Sequence, residues 1–132
     1  MKALVQGGIK APVVGQELAQ NACKIAGAKL IIVMGHQHCG AVKGAIDNVQ
    51  LGNITSMLEN IIPAVIMSQN FKGDKSSKNE AYVKLVAENN VRNTISQIRA
   101  KSEILKDMEK KGEIKIVGAF YTLRTGKLEF VN

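Results

Sequence analysis

Two side chains able to bind a metal ion lie in one short turn of this chain. His36 and Cys39 are three residues apart within residues 35–40, GHQHCG. At that spacing an imidazole and a thiolate can bind the same ion. A thiol at the start of a helix favours its thiolate form, so Cys39 is either a metal ligand or a nucleophile. A redox-sensitive free cysteine is therefore the alternative interpretation of Cys39.

The elements on either side of this turn place it where chemistry is common. Residues 30–34, LIIVM, form a short apolar run bounded by Lys29 and Gly35. Such a run predicts a strand that is buried on both faces. The pattern of residues 41–49 predicts a helix. Strand, polar turn and helix, in that order, form the region where open α/β sheets place their sites.

Helical periodicity predicts three further segments, at residues 13–26, 54–69 and 80–110. Pro63 should kink the second segment because proline removes a backbone donor. Ser102 should divide the third segment by capping a new helix. The predicted apolar side of the first segment comprises Val14, Leu18, Ala22 and Ile25. Residues 70–79 are polar and predict a mobile loop.

Strand patterns occur at residues 114–121 and 128–131, on either side of a turn at 124–127. A short strand is also expected near the N-terminus, at residues 3–6. The predicted fold is an α/β domain over residues 1–132. Its small, mostly parallel sheet is flanked by helices and ends in a C-terminal antiparallel hairpin.

Composition excludes several classes of protein. The net charge is +7, but acidic residues are interleaved with the basic ones and the chain has no Trp. A solvated surface is therefore favoured over a nucleic-acid interface. No apolar run is long enough to cross a membrane. Two cysteines without an export signal predict reduced thiols in a cytoplasmic protein, and not a disulfide framework.

The motifs together resemble a known family. Residues 35–43, GHQHCGAVK, are similar to the zinc-binding signature of the β-class carbonic anhydrases. The resemblance covers nearly the whole chain. Its other matches are residues 8–30, 51–54, 90–95, 114–121 and 125–127.

The resemblance implies a fold, a cofactor and a reaction. In the family, two cysteines and a histidine hold zinc, and water or an aspartate takes the fourth position. The zinc-bound water attacks carbon dioxide to give bicarbonate and a proton. His36 and Cys39 match two of the three constant ligands. The resemblance also implies a homo-oligomer, a dimer or larger, with sites at the subunit interface.

One family motif has no counterpart in this sequence. The third ligand belongs to a Cys-x-Asp-x-Arg motif upstream, whose aspartate and arginine orient the zinc-bound hydroxide. No Cys, Asp or Arg precedes Gly7. We therefore predict an N-terminally truncated domain without the family's N-terminal arm and first strand. Its hydratase activity should be weak or absent, and its zinc should be absent or incompletely coordinated.

The remaining candidate ligands are poorly placed. Cys23 precedes the strand while His36 follows it, so Cys23 is interpreted as a buried core thiol. His38 is interpreted as a lining or surface residue, and Asp47 lies about 12 Å of helix rise beyond Cys39. A missing first strand would expose a sheet edge that a second copy could cover. The alternative function is a non-catalytic oligomeric structural or interaction module that keeps the fold.

Overall fold

The computed structural model describes the backbone of residues 3–7 and the whole of residues 17–132. In these ranges the sheet has the order β1-β2-β3-β4. The first three strands are parallel, and β4 runs antiparallel to β3. The strands are β1 Ala3–Gly7, β2 Leu30–His36, β3 Lys115–Thr122 and β4 Lys127–Val131. The predicted α/β fold with a C-terminal hairpin is confirmed.

Residues 17–20 are α-helical and continue into a π-helical segment, Asn21–Ile25. The helices that follow are α1 Gly40–Ile46, α2 Gly52–Glu59, α3 Ile62–Met67, α4 Glu80–Lys101 and α5 Glu103–Lys110. None of these is long and apolar enough to span a bilayer.

The prediction that Pro63 kinks one long helix is wrong. Two separate helices, α2 and α3, occupy that stretch, and Pro63 lies in the first turn of α3. A first-turn position has no intrahelical partner for its backbone N–H, so proline starts a helix there at little cost.

The predicted apolar side of the first helix is wrong at two of the three positions that can be checked. Leu18 and Ile25 are exposed, whereas Ala22 is half-buried and packs against the core beside the buried Ala19 and Cys23. The helix widens at its end, where the amide of Ala26 donates to the carbonyl of Asn21, five residues earlier, at 3.1 Å. A spacing of 3.6 residues per turn does not describe such a segment. Residues 13–16 of this prediction, Val14 included, lie outside the described residues.

The predicted break of the long helix at Ser102 is confirmed. The Ser102 side chain is fully buried and accepts a hydrogen bond from the amide of Leu105 at 3.2 Å. The side-chain amide of Gln20 donates to the same hydroxyl at 2.6 Å. Ser102 therefore caps α5 and joins it to the segment that precedes β2.

Replacing this cap should destabilise the fold. We expect Ser102→Ala to lower the free energy of unfolding by about 1–2 kcal/mol, because it removes a helix cap and leaves the Gln20 amide without its acceptor. Urea unfolding followed by circular dichroism measures the change. The exposed Ser56 provides the control, since Ser56→Ala should shift stability by less than about 0.5 kcal/mol. Equal unfolding midpoints for the two variants would contradict the assignment.

Strand β2 is buried on one face only, which corrects the prediction of two buried faces. Ile31 and Val33 are buried, whereas Leu30, Ile32 and Met34 are half-buried. The chain advances from β1 to β2 to β3 in one direction across the sheet. Right-handed crossovers then place the connecting helices on the same face. Among the described residues, therefore, the helices cover the Ile31 face and leave the other face more open.

Within the described residues, the edge of the sheet on the side of β2 is formed by β1. Strand β1 pairs in parallel along β2, with Ala3 opposite Leu30 and Gly7 opposite Met34. The short strand expected at residues 3–6 is thus confirmed, one residue longer. It occupies the edge without supplying a Cys, Asp or Arg.

Candidate metal-binding site

His36 and Cys39 lie at the junction of β2 and α1, as the sequence predicts. His36 is the last residue of β2, opposite Tyr121 of β3. Cys39 is the N-cap residue of α1, and its side chain is 6% exposed. Between them, His38 has φ of +58°, a left-handed conformation that reverses the chain sharply. The turn thus brings the end of the strand and the start of the helix together.

The His36 ring is held in a form suited to metal binding. Its Nδ1 lies 2.9 Å from the carbonyl oxygen of Gln37. Because a carbonyl only accepts, Nδ1 must carry the hydrogen, and in the neutral ring the Nε2 lone pair is left available. Metal-binding histidines are commonly held in this way by a backbone carbonyl.

The side chain of Gln37 fastens the turn to the neighbouring hairpin. Its amide oxygen accepts a hydrogen bond from the backbone amide of Arg124 at 3.1 Å. The backbone amide of Gln37 donates to the carbonyl of Tyr121 at 2.9 Å. Sequence reasoning missed this role, because a glutamine inside a turn carries no pattern that names its partner.

A cleft of about 280 Å³ opens beside the turn. His36 and His38 line it from the turn, and Lys43 from α1. Glu80 and Lys84 of α4 and Phe120 of β3 form much of its other side. The prediction that His38 is a lining residue is therefore confirmed.

Lys84 is firmly paired within this cleft. Its ammonium lies 2.9 Å from Glu129, 3.8 Å from Glu88 and 5.2 Å from the ring centre of Phe120. The hydrogen bond with Glu129 raises the pKa of Lys84, and the same bond lowers the pKa of Glu129. Lys84 is therefore a fixed cation whose charge is already balanced.

The donor set of the described residues falls short of a zinc site. Within residues 17–132, no three side chains of His, Cys, Asp or Glu come together in a way that could hold a metal. Residues 1–16 contain none of these four residue types. A complete zinc site needs at least three protein ligands. The residues of this chain therefore do not form a complete family zinc site.

The other candidates have different partners. Cys23 is 3% exposed and packs in the core, as predicted. Asp47 accepts a hydrogen bond from the hydroxyl of Ser77 at 2.7 Å, which ties α1 to the loop before α4. His38 faces Glu80, with 3.8 Å between Nε2 and Oε1.

Cys23 should be inert as a thiol. Burial raises its pKa, so the fraction of reactive thiolate in the folded protein is below that of a free cysteine. In a Cys39→Ala variant, iodoacetamide should modify Cys23 about 100-fold more slowly than free cysteine, and slowly even as the pH rises past about 9. Mass spectrometry of the alkylated protein follows the rate. Reaction at the rate of free cysteine would show that Cys23 is not a core residue.

Comparison with known proteins agrees with this architecture. A family model described as carbonic anhydrase matches residues 16–128. A carbonic anhydrase of Mycolicibacterium smegmatis is 27% identical over 105 residues, which cover 76% of this chain and 48% of that protein. The chain thus spans about half the length of this curated relative.

Solved structures show the same fold. The β-carbonic anhydrase CafA of Aspergillus fumigatus superposes with a TM-score of 0.76 at 22% identity, covering 94% of this chain and 59% of that one. A tetrameric β-carbonic anhydrase of Sordaria macrospora gives a TM-score of 0.77 at 16% identity, covering 94% and 64%. The CafD enzyme of A. fumigatus gives 0.73 at 13% identity, covering 100% and 90%. The chain belongs to the β-carbonic anhydrase family, whose members depend on zinc.

Proposed function

We propose that this chain is a β-carbonic-anhydrase-type domain that supplies two zinc ligands, His36 and Cys39. Carbon dioxide and bicarbonate are its proposed substrates, and by itself it hydrates carbon dioxide weakly or not at all. The observation that carries the proposal is the donor set, since no third ligand accompanies these two within residues 17–132. A metal held by two protein ligands is bound too weakly to sustain turnover.

The residues around the turn support an impaired site in a second way. The aspartate–arginine dyad that the family resemblance calls for has no match in β1, which reads ALVQG. Within residues 17–132, the arginine beside the turn is Arg124, whose guanidinium is exposed and lies 3.7 Å from Glu80. It therefore has no aspartate partner of the kind that the dyad requires.

Both cysteines are free thiols, which supports the inference of a reducing, cytoplasmic location.

A hydration assay tests this function. Stopped-flow measurement of carbon dioxide hydration, with the reduced protein in excess zinc, should give rates close to those of zinc in buffer alone. His36→Ala serves as the matched control and should give the same low rate. Fast, zinc-dependent turnover that disappears in His36→Ala would overturn the proposal of weak or absent activity.

A second candidate function, assembly into a homo-oligomer, is favoured by the open face of the sheet. Strand pairing places Phe130 beside Ala119 and Leu128 beside Tyr121. Phe130 is 70% exposed and Leu128 is 43% exposed. Neighbouring apolar side chains at an unpartnered sheet face are a common basis for association. The related enzyme of S. macrospora is described as tetrameric, which supports the same inference.

Replacing Phe130 tests this second candidate. Light scattering coupled to size exclusion should show an oligomer for the wild type and a smaller species for Phe130→Ser. Leu123 is 54% exposed but lies in the turn after β3, so Leu123→Ser is the control and should leave the mass unchanged. A monomeric wild-type protein would contradict assembly through this face. Loss of assembly on adding a chelator would assign it to the metal instead.

A further inference from the structure

The cleft beside His36 contains a lysine with no carboxylate partner. Lys43 is half-buried on α1 and lines the cleft. Within residues 17–132 it takes part in no ion pair, in contrast to Lys84. Residues 1–16 contain no acidic residue that could pair with it. Lys43 is therefore a partly desolvated cation whose charge the chain leaves unbalanced.

Such a cation favours an anion in the cleft. Partial burial removes some of the water that stabilises an ammonium, and an anionic ligand restores that stabilisation. A flexible lysine with three rotatable donors suits a small ligand whose oxygen atoms point in several directions. The cleft, at about 280 Å³, has room for such an ion together with water.

Two neutral donors line the same cleft. The side-chain oxygen of Gln37 is occupied by the amide of Arg124, which leaves the Nε2 hydrogens of Gln37 available. Thr122, whose side chain carries a hydroxyl donor, also lines the cleft. Together with Lys43, these side chains offer hydrogen bonds from three different elements of the fold. This combination of donors suits an oxyanion.

Glu80 is the negative group that an anion would meet in this cleft. Its carboxylate is more than half exposed, 3.7 Å from the guanidinium of Arg124 and 3.8 Å from the ring of His38. Its charge is thus screened by water and partly balanced by Arg124. The balance of charge still favours an anion at Lys43.

We propose that this cleft binds a small oxyanion of the size of bicarbonate or phosphate, and that Lys43 is its charged anchor. The site requires no metal, because all of its donors are protein groups. It deepens the proposed function by assigning an anion-binding residue to the same cleft. It does not depend on zinc or on turnover.

Anion titrations of the metal-free protein test the proposal. The chelator-treated, reduced protein is titrated separately with sodium bicarbonate and sodium phosphate at constant ionic strength maintained with chloride. Shifts of the backbone amide signals of Gln37, Lys43 and Thr122 are followed by NMR. The wild type should show saturable shifts with at least one anion. Tighter binding of bicarbonate would identify bicarbonate as the ligand, and tighter binding of phosphate would identify a phosphate.

Variants at Lys43 provide the decisive comparison. Lys43→Gln should weaken binding about tenfold or more, because it removes a charge-assisted hydrogen bond, while Lys43→Arg should retain most of it. Lys106 is exposed on α5 and takes part in no ion pair within residues 17–132, so Lys106→Gln makes the same change in net charge and should bind like the wild type. Binding by Lys43→Gln equal to the wild type, or no saturable shift with either anion, would overturn the proposal. Because no zinc is present, a failed hydration assay leaves this result unaffected.

Discussion

Replacing Gly118 by alanine is expected to lower the free energy of unfolding by about 2 kcal/mol. Strand β3 packs directly against α4 at this position. An added Cβ would lie 2.7 Å from a methyl group of Val91, 3.1 Å from the Cδ1 of Ile95 and 3.0 Å from the carbonyl oxygen of Val131. These distances are shorter than van der Waals contact, so the helix or the hairpin must move. A lower urea midpoint with an unchanged slope would report the loss.

Gly40→Ala is the control, because it adds the same methyl group at a position with free space around it. Gly40 is the first residue of α1, and apart from its chain neighbours and its own helix backbone, no heavy atom would lie within 4 Å of an added Cβ. Gly40→Ala should therefore leave stability unchanged or raise it by a few tenths of a kcal/mol, by restricting the unfolded chain. If Gly118→Ala were as stable as Gly40→Ala, the described contact between β3 and α4 would be wrong.

The second large effect is expected on zinc affinity. Cys39→Ala should weaken zinc binding about 100-fold or more, because it removes one of only two proposed ligands. Cys23→Ala should change the affinity by less than about threefold, since Cys23 packs in the core. Competition with a chromophoric chelator, using the reduced and metal-free protein, measures both values.

A variant of the other proposed ligand makes this test stricter. His36→Ala should lose as much affinity as Cys39→Ala, and the double variant should lose little more, because one remaining ligand does not hold the ion. An equal loss in Cys23→Ala and Cys39→Ala would place Cys23 in the metal site. Circular dichroism shows whether each variant is folded.

Much of the fold could be predicted because local signals and tertiary structure agree. The apolar run that forms β2 and the buried Ser102 that caps α5 are both set by local sequence. The hairpin of β3 and β4 follows from its turn residues in the same way.

The predictions that failed depend on features that the spacing of apolar residues does not show. Whether Ile32 is covered depends on which side of the sheet the crossovers pass, and a strand sequence does not encode this. Which side of the first helix is buried depends on the widened turn at residues 21–25. Pro63 fits either a kinked helix or a helix start, and the surrounding packing decides between them.

In the candidate site, the residues set by local sequence could be predicted and those from distant segments could not. His36 and Cys39 could be placed because both lie within one strand–turn–helix unit. The parts contributed by distant segments could not be placed. The contact between Gln37 and Arg124 spans 87 residues, and Lys43 shares its cleft with Glu80 and Phe120 from other elements.

We propose that this chain supplies two zinc ligands where a working site needs three. The most direct test is the zinc content of the purified, reduced protein after gel filtration in a buffer containing a mild chelator. We predict far less than one zinc ion per chain by elemental analysis. One zinc ion retained by every chain under these conditions would contradict the account.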